Sequence, residues 1–406
     1  MKKCISVLSA ALAAALTLSV PVIAEDHSKA EEYLQEYYNV EPVEEDSLES
    51  VNAALTALGG EALEGEELNE EELIAAGIRL AGLEELALSY INDDAPDKAA
   101  EKVASTQMEV SEEYAPYVAC ALDLGLLVDE DGANSASDYL YRCAEIAGKG
   151  RRFLGRVSDD DILTKLRSEM ESFVLFDEEE LTNLGTEIVL SGATTGYNLK
   201  YAGYDAHFLA DYTLKYGHDD FQHAQQLIGL LRSEDIDAYI QIEPKVSVYE
   251  YMTDWGDPGE PTPTYAVREV TEDRYLCYAV EYDMMLEFDT KEEKEAFHGL
   301  IETYAKKYDD SVDEEGNVTE KLLAGSWWQP LYSSATEMQN EEFGELIDNV
   351  IYGADGLYSV HSFSLPENAA AIEEKVAELT PDLSVSPVTI YVNPAFMRYI
   401  TGEDHQ

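Results

Sequence analysis

Residues 217–246 read GHDDFQHAQQLIGLLRSEDIDAYIQIEPKV, and this stretch decides the fold class. Asp219 and Asp220 are placed to cap a helix and to sit against its positive end. Ala224, Leu227, Ile228, Leu230 and Leu231 then recur at helical spacing, a broad apolar face suited to a buried helix. Ser233-Glu-Asp235 breaks that period, and Ile236 to Ile242 alternates apolar and polar residues as a half-buried strand does. Pro244 predicts the end of that strand, because a residue without an N–H interrupts a central ladder. A core helix feeding a strand is the centre of a compact α+β domain.

The flanking segments read as its cover. Ser247–Met252 and Arg274–Phe288 predict strands, separated by a Pro/Gly/Asp-type turn at 254–263. Lys291–Lys307 predicts a charged amphipathic helix, 340–350 a helix, 357–364 a strand, 366–379 a helix and Val388–Val392 a last strand. That order predicts a mixed sheet with helices against it, spanning residues 157–406. Its first part, 157–235, reads as mostly helical, with Tyr197, Tyr201, Tyr204, Tyr212 and Tyr216 on amphipathic helix faces, and 236–406 as sheet-rich.

The chain start has the form of a secretory signal peptide over residues 1–24. Met1-Lys-Lys3 is basic, Cys4 to Val20 is apolar, and Val22-Ile-Ala24 is a small-residue cleavage site. The expected address is secreted or cell-surface, with no membrane span in the mature chain. Cleavage removes two lysines and no acid, moving the formal charge from −58 to −60. Such a charge excludes nucleic acid as a partner, since phosphates require basic surfaces. It suits divalent cations, calcium included, yet no calcium motif is present: in the acidic 309–320 loop, position one of the template is Ser311 and position twelve Leu322. No cofactor is expected. Three cysteines remain after cleavage, too few for a disulfide framework, and Cys120 and Cys143 lie in apolar helical patterns as packed thiols.

Residues 25–66 form an acidic, solvated lead-in with some helix. From 67 to 156 two similar units follow, Glu72-Leu-Ile-Ala-Ala-Gly-Ile-Arg-Leu-Ala-Gly82 and Asp138-Tyr-Leu-Tyr-Arg-Cys-Ala-Glu-Ile-Ala-Gly148, each closing a helix in Ala-Gly. Tyr114-Ala115, Val118, Ala121, Gly125 and the Asp129-Glu-Asp-Gly132 turn resemble an S-layer-homology module. The resemblance covers about residues 65–155 and implies a helical domain that anchors a secreted bacterial protein to cell-wall polysaccharide. It departs where that family carries its arginine: Glu70 stands there in Leu68-Asn-Glu-Glu-Glu72, and Asn134-Ser-Ala-Ser137 has no basic residue. A glutamate repels the anionic sugar substituent that an arginine would grip.

Ala224–Ala238 resembles the helix of transglutaminase-like cysteine enzymes, where a helix N-terminus activates a thiol. Asp220 occupies the cysteine position, and Cys277 in Cys277-Tyr-Ala-Val-Glu-Tyr282 occupies the histidine position, so the resemblance implies a degenerate domain without that catalysis. His218, Asp219, Asp220 and His223 cluster as metal-ligand types, with Asp219 and His223 one turn apart, but no zinc spacing is present, and helix capping by the aspartates explains them without a metal. His207 and His361 read as satisfied, isolated groups. Trp255, Trp327 and Trp328 are aromatic contact candidates for carbohydrate or a protein partner. The expectation is a non-catalytic, cell-envelope-associated protein binding cell-wall polysaccharide or another surface protein. The alternative is a cysteine-protease-like, transglutaminase-like or metal-dependent hydrolase built around Asp220, His223 and Cys277.

Overall fold

The structure, a computed structural model, describes residues 27–41, 47–91, 95–104, 106, 109–127, 135–218, 220–304 and 330–403. The signal-like start, the 129–132 turn, Asp219, the 309–320 loop, Trp327 and Trp328 lie outside the described residues. The chain divides into two compact units, Met1–Arg151 and Arg152–Gln406.

The first unit is helical: α1 (His27–Tyr38), α2 (Leu48–Ala57), α3 (Glu70–Leu80), α4 (Glu84–Leu88), α5 (Lys98–Ala104), α6 (Ala115–Asp123) and α7 (Ala136–Ile146). The repeated Ala-Gly endings have a shared physical cause. Gly82, Gly125 and Gly148 take φ of +70°, +68° and +70°, closing α3, α6 and α7. In each, the glycine N–H and the next N–H fold back onto carbonyls of the last turn, as in Leu83 to Ile78, Leu126 to Ala121 and Lys149 to Ala144. The acidic lead-in is not simply solvated: Tyr33, Leu34, Val51, Leu55 and Leu58 are buried. Most of them join Ile78, Val118 and Leu140 in one core, because apolar residues recur on one face of α1 and α2. Cys120 and Cys143 are buried free thiols. Burial pushes Cys143 up to about 12, leaving it unreactive at neutral pH.

The second unit contains β1 (Gly155–Arg156), α8 (Ile162–Met170), α9 (Glu179–Leu190), β2 (Gly196–Tyr201), β3 (Thr213–His218), α10 (Phe221–Ser233), β4 (Ala238–Tyr251), β5 (Tyr265–Thr271) and β6 (Arg274–Phe288). It continues through α11 (Lys291–Tyr304), β7 (Leu331–Ser334), β8 (Gly344–Tyr352), β9 (Tyr358–Ser364), α12 (Ala369–Leu379), β10 (Val385–Val392) and α13 (Pro394–Thr401). Helices and strands together make the fold α+β. The sheet is not mixed, however. Every pairing among the described strands is antiparallel.

The strands close on themselves. The order β4-β2-β9-β8-β10-β7-β3-β6 returns to β4 through the β4–β6 pairing, giving an eight-stranded barrel with β1 and β5 added at its margins. Alternation assigns the faces. Ala238, Ile240 and Ile242 of β4 and Met284, Leu286 and Phe288 of β6 face outward into a core with α8, α10 and α11. Val246, Val248, Leu199 and Val360 face outward into a second core with α9 and α12. The opposite residues of each strand face the barrel interior.

Three expectations change. Pro244 does not end β4, which runs 14 residues. The second edge of β4 is unpaired between Ile240, which meets β1, and Lys245, which meets β2, and a residue without an N–H is tolerated in that gap. Residues 340–350 do not make a helix but contribute to β8: Ile347, Asn349 and Ile351 face one side, Leu346, Asp348 and Val350 the other. The tyrosine-rich part of 157–235 is strand as well as helix. Tyr197 and Tyr216 lie on β2 and β3 and are buried under helices rather than displayed on them.

Candidate functional site

The barrel interior carries charge where an eight-stranded barrel of this size is commonly packed with apolar side chains. Lys200 of β2 and Lys245 of β4 both donate to Asp283 of β6, at 2.6 and 2.7 Å. Burial alone would push the Asp283 carboxyl up; the charges of Lys200, Lys245 and Lys215 outweigh it and hold it well below the usual carboxylate range. Gly217 of β3 faces the same cluster, with Asp283 and Lys245 just beyond where a side chain would begin. Ser247 Oγ reaches Glu281 at 2.6 Å and Asn198 at 2.8 Å. Lys215, also on the inward face of β3, forms no hydrogen bond or ion pair among the described residues.

Next to β2 around the wall, a second group lines β9 and β8. His361 Nδ1 lies 2.8 Å from Asp348 Oδ2, and His361 Nε2 lies 2.8 Å from Ser359 Oγ. Ser359 and His361 share the inward face of β9, two residues apart, while Asp348 comes from the neighbouring strand. Asp348 Oδ1 is buried with no hydrogen-bond partner among the described residues. Burial would raise the Asp348 carboxyl, and the neighbouring His361, Lys200 and Lys215 overcome that and lower it. His361 is satisfied, as expected, but within a long-range constellation and not alone.

Both mouths of the barrel are furnished. The 202–212 loop is tied down by two interior acids: Glu243 accepts from the Ala206 N–H at 2.8 Å and Glu287 from the Leu209 N–H at 2.9 Å. At the other mouth α13 lays Phe396 against inward-facing Phe363, ring centroids 5.4 Å apart, and Met397 against Gly344. On β10, inward-facing Val388 is 43% exposed.

The residues singled out in the sequence do not converge. Asp220 caps α10, accepting from the Gln222 N–H at 2.7 Å, beside a hollow of about 280 Å³ with Arg167 and Phe221. His223 is buried on α10, against the outer wall of the barrel, and Cys277 is buried on the inner face of β6. The wall stands between them, so the cysteine–histidine arrangement of the alternative reading is not formed. Burial raises the Cys277 thiol, which is that of a packed side chain. His218 ends β3. Trp255 is 62% exposed on a short 3-10 turn, edge-on to Tyr251. No group of three or more His, Cys, Asp or Glu among the described residues is arranged to hold a metal ion.

Sequence reasoning missed Lys200, Lys215, Lys245, Asp283, Asp348 and Ser359. The signal was the polar half of the strand alternation, which reads as a solvent face until the sheet closes. No protein-family model, curated protein or solved structure matches the chain.

Proposed function

We propose that this chain is an exported, cell-envelope-associated binding protein whose barrel interior takes a small polar ligand. One observation carries the reading: the charged interior holds a cation, Lys215, and a buried acceptor, Asp348 Oδ1, that the described residues leave without hydrogen-bond partners. A ligand bearing an acid group for Lys215 and a hydroxyl or ammonium for Asp348 satisfies both. Soluble fragments of a bacterial cell wall have that chemistry, and the signal-like start and the high negative charge support an exported setting.

The test is calorimetric titration with fragments from enzymatically digested sacculi. Native protein binds them, and Lys215→Gln weakens binding about 10-fold or more, the worth of one charge-assisted hydrogen bond. Absence of binding, or equal affinity in the variant, overturns the reading.

The helical unit serves this function as a wall anchor. The α3, α6 and α7 closures that recur in it support the S-layer-homology resemblance, while Glu70, at the start of α3, stands against polymer binding there. Full-length protein is expected to pellet with intact sacculi and a Δ65–155 variant to stay in the supernatant. Equal pelleting of the two removes the anchor.

A further inference from the structure

We propose that Ser359, His361 and Asp348 form a hydrolytic triad acting on short-chain acyl esters of polyhydroxylated alcohols. This rests on the reading that polar ligands enter the barrel. The geometry has the three relations that nucleophilic catalysis by a serine requires. Ser359 Oγ lies 2.8 Å from His361 Nε2, so the imidazole is placed to take the hydroxyl proton. His361 Nδ1 lies 2.8 Å from Asp348 Oδ2, which holds the ring in the tautomer whose Nε2 accepts. All three side chains face the interior, on strands paired in register from Ile347 to Tyr352 and Ser359 to Ser364. Directly across from Ser359 on β2 is Lys200, a half-buried cation held charged beside Asp283.

The chemistry follows from these positions. Ser359 Oγ attacks the ester carbonyl as its proton passes to His361 Nε2, forming the Oγ–C bond. Negative charge collects on the former carbonyl oxygen, where Lys200 supplies a fixed positive charge. Collapse breaks the bond to the leaving oxygen, which takes the proton from His361 and departs as an alcohol. Water, deprotonated by His361, then attacks the acyl-serine and releases a carboxylic acid, and the proton returns to Ser359. Asp348 touches no reacting atom and is a positioning residue. The charged interior rejects a long apolar acyl chain, and Ser359, only 8% exposed, admits a small one. That selects acetyl-sized groups on a polar alcohol.

Three measurements on the full chain test this. A fluorophosphonate probe is expected to label native protein at Ser359, read as a mass shift on the peptide containing residues 357–364. Labelling disappears in Ser359→Ala and falls at least 100-fold in His361→Gln. In Ser362→Ala, on the outer face of β9, it is unchanged. Hydrolysis of p-nitrophenyl acetate follows the same order, and p-nitrophenyl octanoate is turned over at least 100-fold more slowly. For Asp348, the readout is the pH profile: Asp348→Asn lowers kcat and moves its acid limb, and Asp348→Glu restores part of both. Labelling at another residue, or none in native protein, overturns the triad. If wall fragments bind while Ser359 stays unlabelled, the catalytic inference falls and the binding reading stands. If Ser359 is labelled while no fragment binds, the triad stands and the ligand class of the binding reading falls.

Discussion

Asp283→Asn is expected to destabilise the barrel unit by about 3–5 kcal/mol, the cost of removing one partner from a buried ion pair. Asp283 is 3% exposed and accepts from Lys200 and Lys245 at once. Neutralising it strands two ammonium groups in the barrel with no compensating charge at the same position. The loss is a large fraction of a typical domain's 5–15 kcal/mol, so the urea midpoint of the barrel unit falls sharply. Lys375→Ala, which removes a surface pair with Glu378, serves as the contrast and should leave the midpoint where it is. The same site predicts a pH effect. The folded-state value of Asp283 lies well below its unfolded value of about 3.9. Between those values the unfolded chain binds a proton that the folded chain does not, so stability falls as pH falls. The contribution is full above about pH 4 and is lost as pH drops through the folded value. Urea titrations below pH 4 should therefore show a shallower acid loss for Asp283→Asn than for native protein. A parallel pair of curves would show that Asp283 is not the ionised partner the geometry requires.

Leu230→Ala is the second large effect. Leu230 is 1% exposed on α10, in a core with Ile162 of α8, Ile240 of β4, Leu286 of β6 and Phe297 of α11. Truncation leaves a cavity that a helix pinned against a barrel wall fills only in part, so the cost should be about 2–5 kcal/mol. Asp220→Ala removes the cap bond to the Gln222 N–H and should cost about 1 kcal/mol. Equilibrium denaturation of both variants decides it. If Leu230→Ala costs less than Asp220→Ala, α10 is not the helix on which the barrel wall packs.

Part of this fold is written in short-range period. The run from Asp220 to Ser233 was legible as a capped core helix, because its apolar residues repeat at 3.6 and its cap is a carboxylate. The strand after it was legible as a half-buried alternation over Ile236 to Ile242, and β4 takes it up from Ala238. The packed thiols Cys120 and Cys143 followed from the same logic. Where both faces of a strand are buried, as at 344–352, the period weakens and a strand passes for a helix.

Closure of the sheet is a long-range event, and it changes the meaning of every polar strand residue. Lys200, Lys245, Asp348 and His361 alternate as a solvent-facing stripe would. Nothing in a period of two distinguishes water outside a sheet from the interior of a barrel. The partners are also remote: Lys200 meets Asp283 across 83 positions, and Ser359, His361 and Asp348 come from two strands joined by a turn. Charges in such a place are stable only when their partners arrive from other strands. The candidate site therefore exists in the closed barrel and has no counterpart in any single stretch of the chain.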